Sequence, residues 1–246
     1  MRKAQTIAGL SSALVLATSL LNLIAKERMY PNATNSELFF ANDIVNMIVP
    51  LAFIALILLT RPKPGLYIGI DSANIYIAVP LILIYGLKPQ ALIPAAAIAI
   101  AAYGIIDQLK IEEVLVTEKG PIKKEHISYI AISALFCALF IARASGILTK
   151  QDVLAQDRIT SIADLALVAI WLVLMIISIV NVDKRVPSLT GIMTSGTALN
   201  LSLILYVIID SLAGKESLRI ADLVVIAAMS LVFFVPSYRL LRKKPS

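Results

Sequence analysis

The 246 residues are 59% hydrophobic and only 15% charged, with a mean hydropathy of +0.87, whereas a soluble domain carries about 25% charged residues. That much apolar surface excludes a water-soluble globular fold and calls for a lipid bilayer as the chain's main partner. The net charge of +6 does not point to nucleic acid, because the basic residues fall in short runs between apolar segments and have no aromatic residues interleaved.

The first apolar run, Ala4 to Ala25, follows Met1-Arg2-Lys3. It is longer than the h-region of a signal peptide, about 7–15 residues, so a retained first helix is expected. Further runs predict helices at Phe39–Thr60, Leu66–Gly86, Ala91–Leu109, Ile127–Leu148, Thr160–Val180, Leu189–Ile209 and Ile220–Tyr238. Each is close to the roughly 20 residues that cross a bilayer core about 30 Å thick. The fold class is therefore all-α, a polytopic membrane bundle of about eight helices. Between the second and third helices, Arg61-Pro62-Lys63-Pro64-Gly65 reads as a tight basic turn. The segment 110–126 mixes glutamates and lysines around Gly120-Pro121 and reads as a solvated linker between a first half, 1–109, and a second half, 127–246. Asn32-Ala33-Thr34 matches a glycosylation sequon, a pattern too short to carry weight.

Positive charge orients the bundle. With the N-terminus in the cytoplasm, Lys26, Arg28, Lys88, Arg143, Lys150, Arg158, Lys215 and Arg219 fall outside and the other 14 of 22 Lys and Arg fall inside. Both termini are therefore expected in the cytoplasm.

Displacing the chain against itself by 121 residues aligns helices one to three with helices five to seven. Ser12-Ala13-Leu14 then falls on Ser133-Ala134-Leu135, Tyr85 on Tyr206, and Asp43 on Asp164. Four helices is an even number, so both halves would insert the same way, as a parallel repeat about an axis along the membrane normal. Asn42-Asp43 opening a helix, Pro50 seven residues on, the basic Pro/Gly turn and Tyr85 closing the next helix together resemble an uncharacterised prokaryotic family of duplicated four-helix membrane proteins. The second half departs from that pattern, with Trp171 where the first has Pro50. The resemblance implies a prokaryotic cytoplasmic membrane and no particular activity.

A charge in hydrocarbon costs about 2.5–3.5 kcal/mol on insertion scales, which singles out Asp43, Asp71, Asp107, Arg143, Asp164 and Asp222. All six lie near helix ends, and four of them sit where a carboxylate complements the helix dipole. Arg143 and Asp164 come to a similar depth and are expected to pair. The 121-residue displacement puts Asn22 where Arg143 stands, so Asn22 is expected beside Asp43. Each pair is either a clamp that lets polar groups enter the bilayer or an outer ligand site. Tyr67, Asp71, Asn74 and Ala78 form one face of the third helix, and Thr190, Thr194, Thr197 and Asn200 one face of the seventh. These faces either glue helices together or line a polar cleft for a solute.

One cysteine, Cys137, and one histidine, His126, are too few for a disulfide framework, a Cys/His zinc site or bis-histidine haem. No cofactor, metal ligand set or catalytic residue is expected. HExxH, GxSxG and CxxC patterns do not occur, and no lysine lies within a predicted helix to form a retinal Schiff base. Three functions fit this chain: a small-solute or ion transporter, a non-catalytic structural or assembly subunit that binds partner membrane proteins, and a membrane enzyme. Paired aspartates holding a cation or a lipid phosphate are all that the sequence offers the third.

Overall fold

The computed structural model describes residues 2–29, 36–60, 63, 65–86, 88–110, 122–150, 155–212 and 220–242, without the side chains of 2, 25–29, 36–41, 155–156 and 222. The sequon, most of the charged linker and the side chain of Asp222 lie outside the described residues. What is described forms eight α-helices: α1 (Arg2–Met29), α2 (Ser36–Leu59), α3 (Leu66–Tyr85), α4 (Leu92–Lys110), α5 (Lys124–Leu148), α6 (Ala155–Val180), α7 (Arg185–Leu212) and α8 (Ile220–Arg242), with a single 3-10 turn at Pro89–Ala91 ahead of α4. All eight are long and apolar enough to cross a membrane. A helix satisfies its backbone N–H and C=O groups internally, which hydrocarbon requires.

The distribution of polarity matches this setting. Leu58, Leu59, Leu92, Val180 and Val224 point outward, while Ser11, Ser12, Asp71, Asn74, Asp164 and Asn200 are buried. A water-soluble bundle has the opposite arrangement. The chain is an integral, multi-pass membrane protein.

The helices alternate in direction, so the bundle has a terminal face, with Lys3 and Arg242, and a far face. At the terminal face Lys3 Nζ lies 2.6 Å from Asp107 Oδ1 and donates a 2.8 Å bond to Tyr103 Oη, joining α1 to α4. Gln5 Nε2 donates to Ile57 O at 2.8 Å and ties α1 to the end of α2. α3 is the central element, with 67% of its span buried against 22% for peripheral α5. Tyr67, Ile70, Ala73, Ile77 and Leu81 enter a core shared with α1 and α2, whereas Ile68 and Ile75 enter one shared with α6 and α7.

The two cores are built differently. In the second, Phe136 of α5 meets Phe233 of α8 edge to face at 4.6 Å between centroids, and Trp171 of α6 stands 5.6 Å from Phe233. Trp171 is fully buried, and its Nε1–H donates a 2.8 Å bond to Ser195 Oγ of α7. In the first, small and polar side chains let α1, α3 and α4 approach closely. Across the junction α3 packs on α6 and α7, and α7 on α2 and α3.

Candidate functional site

At the far-face end of the first half, Asn22 Nδ2 of α1 donates a 3.1 Å bond to Asp43 Oδ1 of α2, and both side chains are nearly buried. At the same end of the second half, Arg143 Nη1 of α5 lies 3.7 Å from Asp164 Oδ2 of α6. Asp164 is fully buried and also accepts a 3.3 Å bond from the Tyr76 hydroxyl of α3. Both aspartates thus lie toward the far face, one beside an amide and the other beside a cation.

A cavity of about 240 Å³ lies between α2, α3, α6 and α7. Asn42, Asn46, Tyr76, Ser202 and Tyr206 supply its polar wall, Val49 and Leu167 its apolar floor, and Arg143 reaches its margin. Asn42, Asn46, Leu167, Ser202 and Tyr206 belong to the far-face halves of α2, α6 and α7, and Arg143 to the far-face end of α5, so the cavity lies toward that side of the bundle. Arg143 is 53% exposed. Its contact with Asp164 is longer than a direct N–H···O bond of about 2.7–3.2 Å, so the guanidinium keeps donors for another acceptor.

The polar stripe of α3 does not face α7. Asp71 Oδ1 accepts a 2.8 Å bond from Ser11 Oγ, and Asn74 Nδ2 donates to Ser11 Oγ and Ser12 Oγ at 2.9 Å each, so both residues turn toward α1. Asp71 also lies against α4, where a methyl group on Gly104 would collide with its Oδ2. Where α3 meets α7 the two helices cross closely, as the packing alternative for these faces has it. Added Cβ atoms at Gly69 and Gly191 would strike Thr194 and Ile68, respectively. The other polar stripe bonds mostly to its own helix. Thr190, Thr197 and Asn200 donate to the backbone carbonyls of Val186, Met193 and Gly196, while Thr194 Oγ1 meets Ser237 Oγ of α8 at 3.0 Å. Three of these groups are thus satisfied within α7, and Thr194 joins α7 to α8.

Asp107 serves the Lys3 contact at the terminal face. Among the described residues no three His, Cys, Asp or Glu side chains converge on one point. Four participants were not singled out by sequence: Ser11, Ser12, Gly104 and the α2 wall of the cavity. Only the serines carried a signal, as adjacent hydroxyls inside an apolar run. Compared with known proteins, the chain matches no family model, no curated protein and no solved structure.

Proposed function

We propose that this membrane protein is a carrier or receptor for a small solute, bound in the cavity between α2, α3, α6 and α7 through an anionic group that meets Arg143. The observation that carries this reading is the guanidinium at the cavity margin, half exposed and backed by the buried Asp164 carboxylate 3.7 Å away. An arginine fork fits a carboxylate or phosphate, and the side-chain amides of Asn42 and Asn46 and the hydroxyls of Tyr76, Ser202 and Tyr206 offer neutral hydrogen bonds around it. At about 240 Å³ the space is smaller than drug-binding pockets of about 300–1,000 Å³, which suits a metabolite of a few carbons.

The four-plus-four parallel repeat belongs to the same proposal. Asn46 and Leu167, and likewise Ile77 and Ala198, stand 121 residues apart in the chain and line the cavity together. That is the arrangement of a site on the axis between two related halves. Lysine and arginine bias puts the termini in the cytoplasm and the cavity mouth outside, and the family resemblance suggests a prokaryotic plasma membrane.

The test is thermal denaturation of the protein in lipid discs with short monocarboxylates, amino acids and inorganic phosphate added in turn. At least one of these classes should raise Tm saturably in the wild type and fail to do so in Arg143→Gln. A wild type indifferent to all three would overturn the reading in favour of an assembly subunit or an enzyme.

A further inference from the structure

We infer that the core between α1, α3 and α4 is a binding site for one dehydrated monovalent cation of about the size of Na⁺, held between Asp71 Oδ2 and Asn74 Oδ1.

Counting protons leads to this site. Ser11, Ser12, Asp71 and Asn74 are all fully buried. The single hydroxyl proton of Ser12 goes to Ala8 O at 2.8 Å, and that of Ser11 goes to Asp71 Oδ1 at 2.8 Å, with Ala8 O at 3.0 Å as its alternative. Both serine oxygens are left as acceptors. The amide of Asn74 presents its nitrogen to them, and its Oδ1 is turned elsewhere. Among the described residues that oxygen has no hydrogen-bond partner, nor has Asp71 Oδ2, nor the Tyr67 hydroxyl one turn earlier on the same face. Asp71 and Asn74 are three residues apart on a helix and so share a face. Asp71 Oδ2 and Asn74 Oδ1, buried oxygens about one turn apart on α3 with no donor among the described residues, are destabilising unless a cation or a proton neutralises the carboxylate.

Counting charges gives the same result. Lys3 of α1 is engaged with Asp107 and Tyr103, and Arg143 stands by Asp164 at the far face. Buried Arg185, at the start of α7, donates from Nε to Ser178 O near the end of α6. None of the hydrogen bonds or ion pairs of Asp71 and Asn74 brings a cationic side chain to them. One carboxylate balances one positive charge, and neutral amide and hydroxyl oxygens are hard donors that suit an alkali cation. A divalent ion would need more carboxylates. Gly104 has a role here too, since its lack of a side chain lets Asp71 Oδ2 lie against the backbone of α4. The site is separate from the solute cavity and stands whether or not that cavity is filled.

The experiment is thermal denaturation of the full chain in lipid discs at fixed neutral pH and ionic strength, with choline chloride replaced stepwise by NaCl, LiCl or KCl. A saturable rise of several degrees with Na⁺, smaller with K⁺, is expected, because an ion that binds only the folded state stabilises it by mass action. Asp71→Asn should unfold in choline at or above the wild-type temperature and lose the Na⁺ response, and Asn74→Ala should move the response to higher Na⁺. If either variant fails to fold, the wild-type titration decides alone. A wild-type Tm that ignores Na⁺ and Li⁺ would overturn the proposal. So would an infrared band of a protonated carboxyl group that persists in saturating Na⁺ and vanishes in Asp71→Asn, since it would show that a proton takes the place of the cation.

Discussion

Arg143 and Asp164 illustrate how far single residues could be read. A basic and an acidic residue at equal depth in neighbouring helices have few other ways to enter a bilayer, so their proximity followed from composition and span boundaries. What the linear pattern could not convey is the asymmetry of the pair, with Asp164 fully buried and Arg143 half exposed at a cavity margin. Removing the cation leaves a buried carboxylate with Tyr76 as its remaining neighbour. Arg143→Gln should therefore lower stability by about 1–2 kcal/mol, discounted for the exposure of the guanidinium. That is a fall of about 2–4 °C in Tm per kcal/mol for a chain of this size. Trp171 makes a second residue-scale case. Trp171→Phe loses the bond to Ser195 and should cost about 0.5–1.5 kcal/mol, whereas Trp171→Ala also opens a cavity and should cost about 3–5 kcal/mol. Denaturation of the purified variants in detergent separates the two.

At the scale of elements, all eight helices were legible because spans of this length and apolarity have no other stable environment. Their rotations were not. α3 is buried on nearly every side, so its residues show no lipid-facing stripe from which a rotation could be read. Hence the sequence left open whether Asp71 and Asn74 pack against a helix or line a cleft; serines of α1 and the bare backbone at Gly104 in α4 receive them. Glycines report these approaches more directly than polar residues do. Gly69→Val should force α3 from α7 and cost about 1–3 kcal/mol by overpacking. Gly9 in α1 and Gly146 in α5 meet nothing within 4 Å, so Gly9→Ala or Gly146→Ala should be neutral or stabilising by up to about 1 kcal/mol. Equal losses from Gly69→Val and Gly146→Ala would contradict the close crossing.

For the whole molecule, the division into two cores matters more than the helix count. The first core is mostly aliphatic with buried Ser11, Ser12, Asp71 and Asn74 beside it, the second is aromatic, and α3 and α7 form the seam between them. A cavity at such a seam was invisible to hydropathy, because its wall is assembled from α2, α3, α6 and α7 with Arg143 of α5, and its polar members are mostly uncharged. The orientation is open to a direct check. With Cys137→Ala as background, Lys88→Cys should react with a membrane-impermeant thiol reagent added to whole cells, and Arg242→Cys only after lysis. The solute-binding account is tested most directly by native mass spectrometry of the wild type and Arg143→Gln released from lipid discs. It predicts a wild-type chain carrying one small anionic molecule that Arg143→Gln lacks. Recovery of the wild type in a stable complex with other membrane proteins, with no small molecule bound, would contradict it.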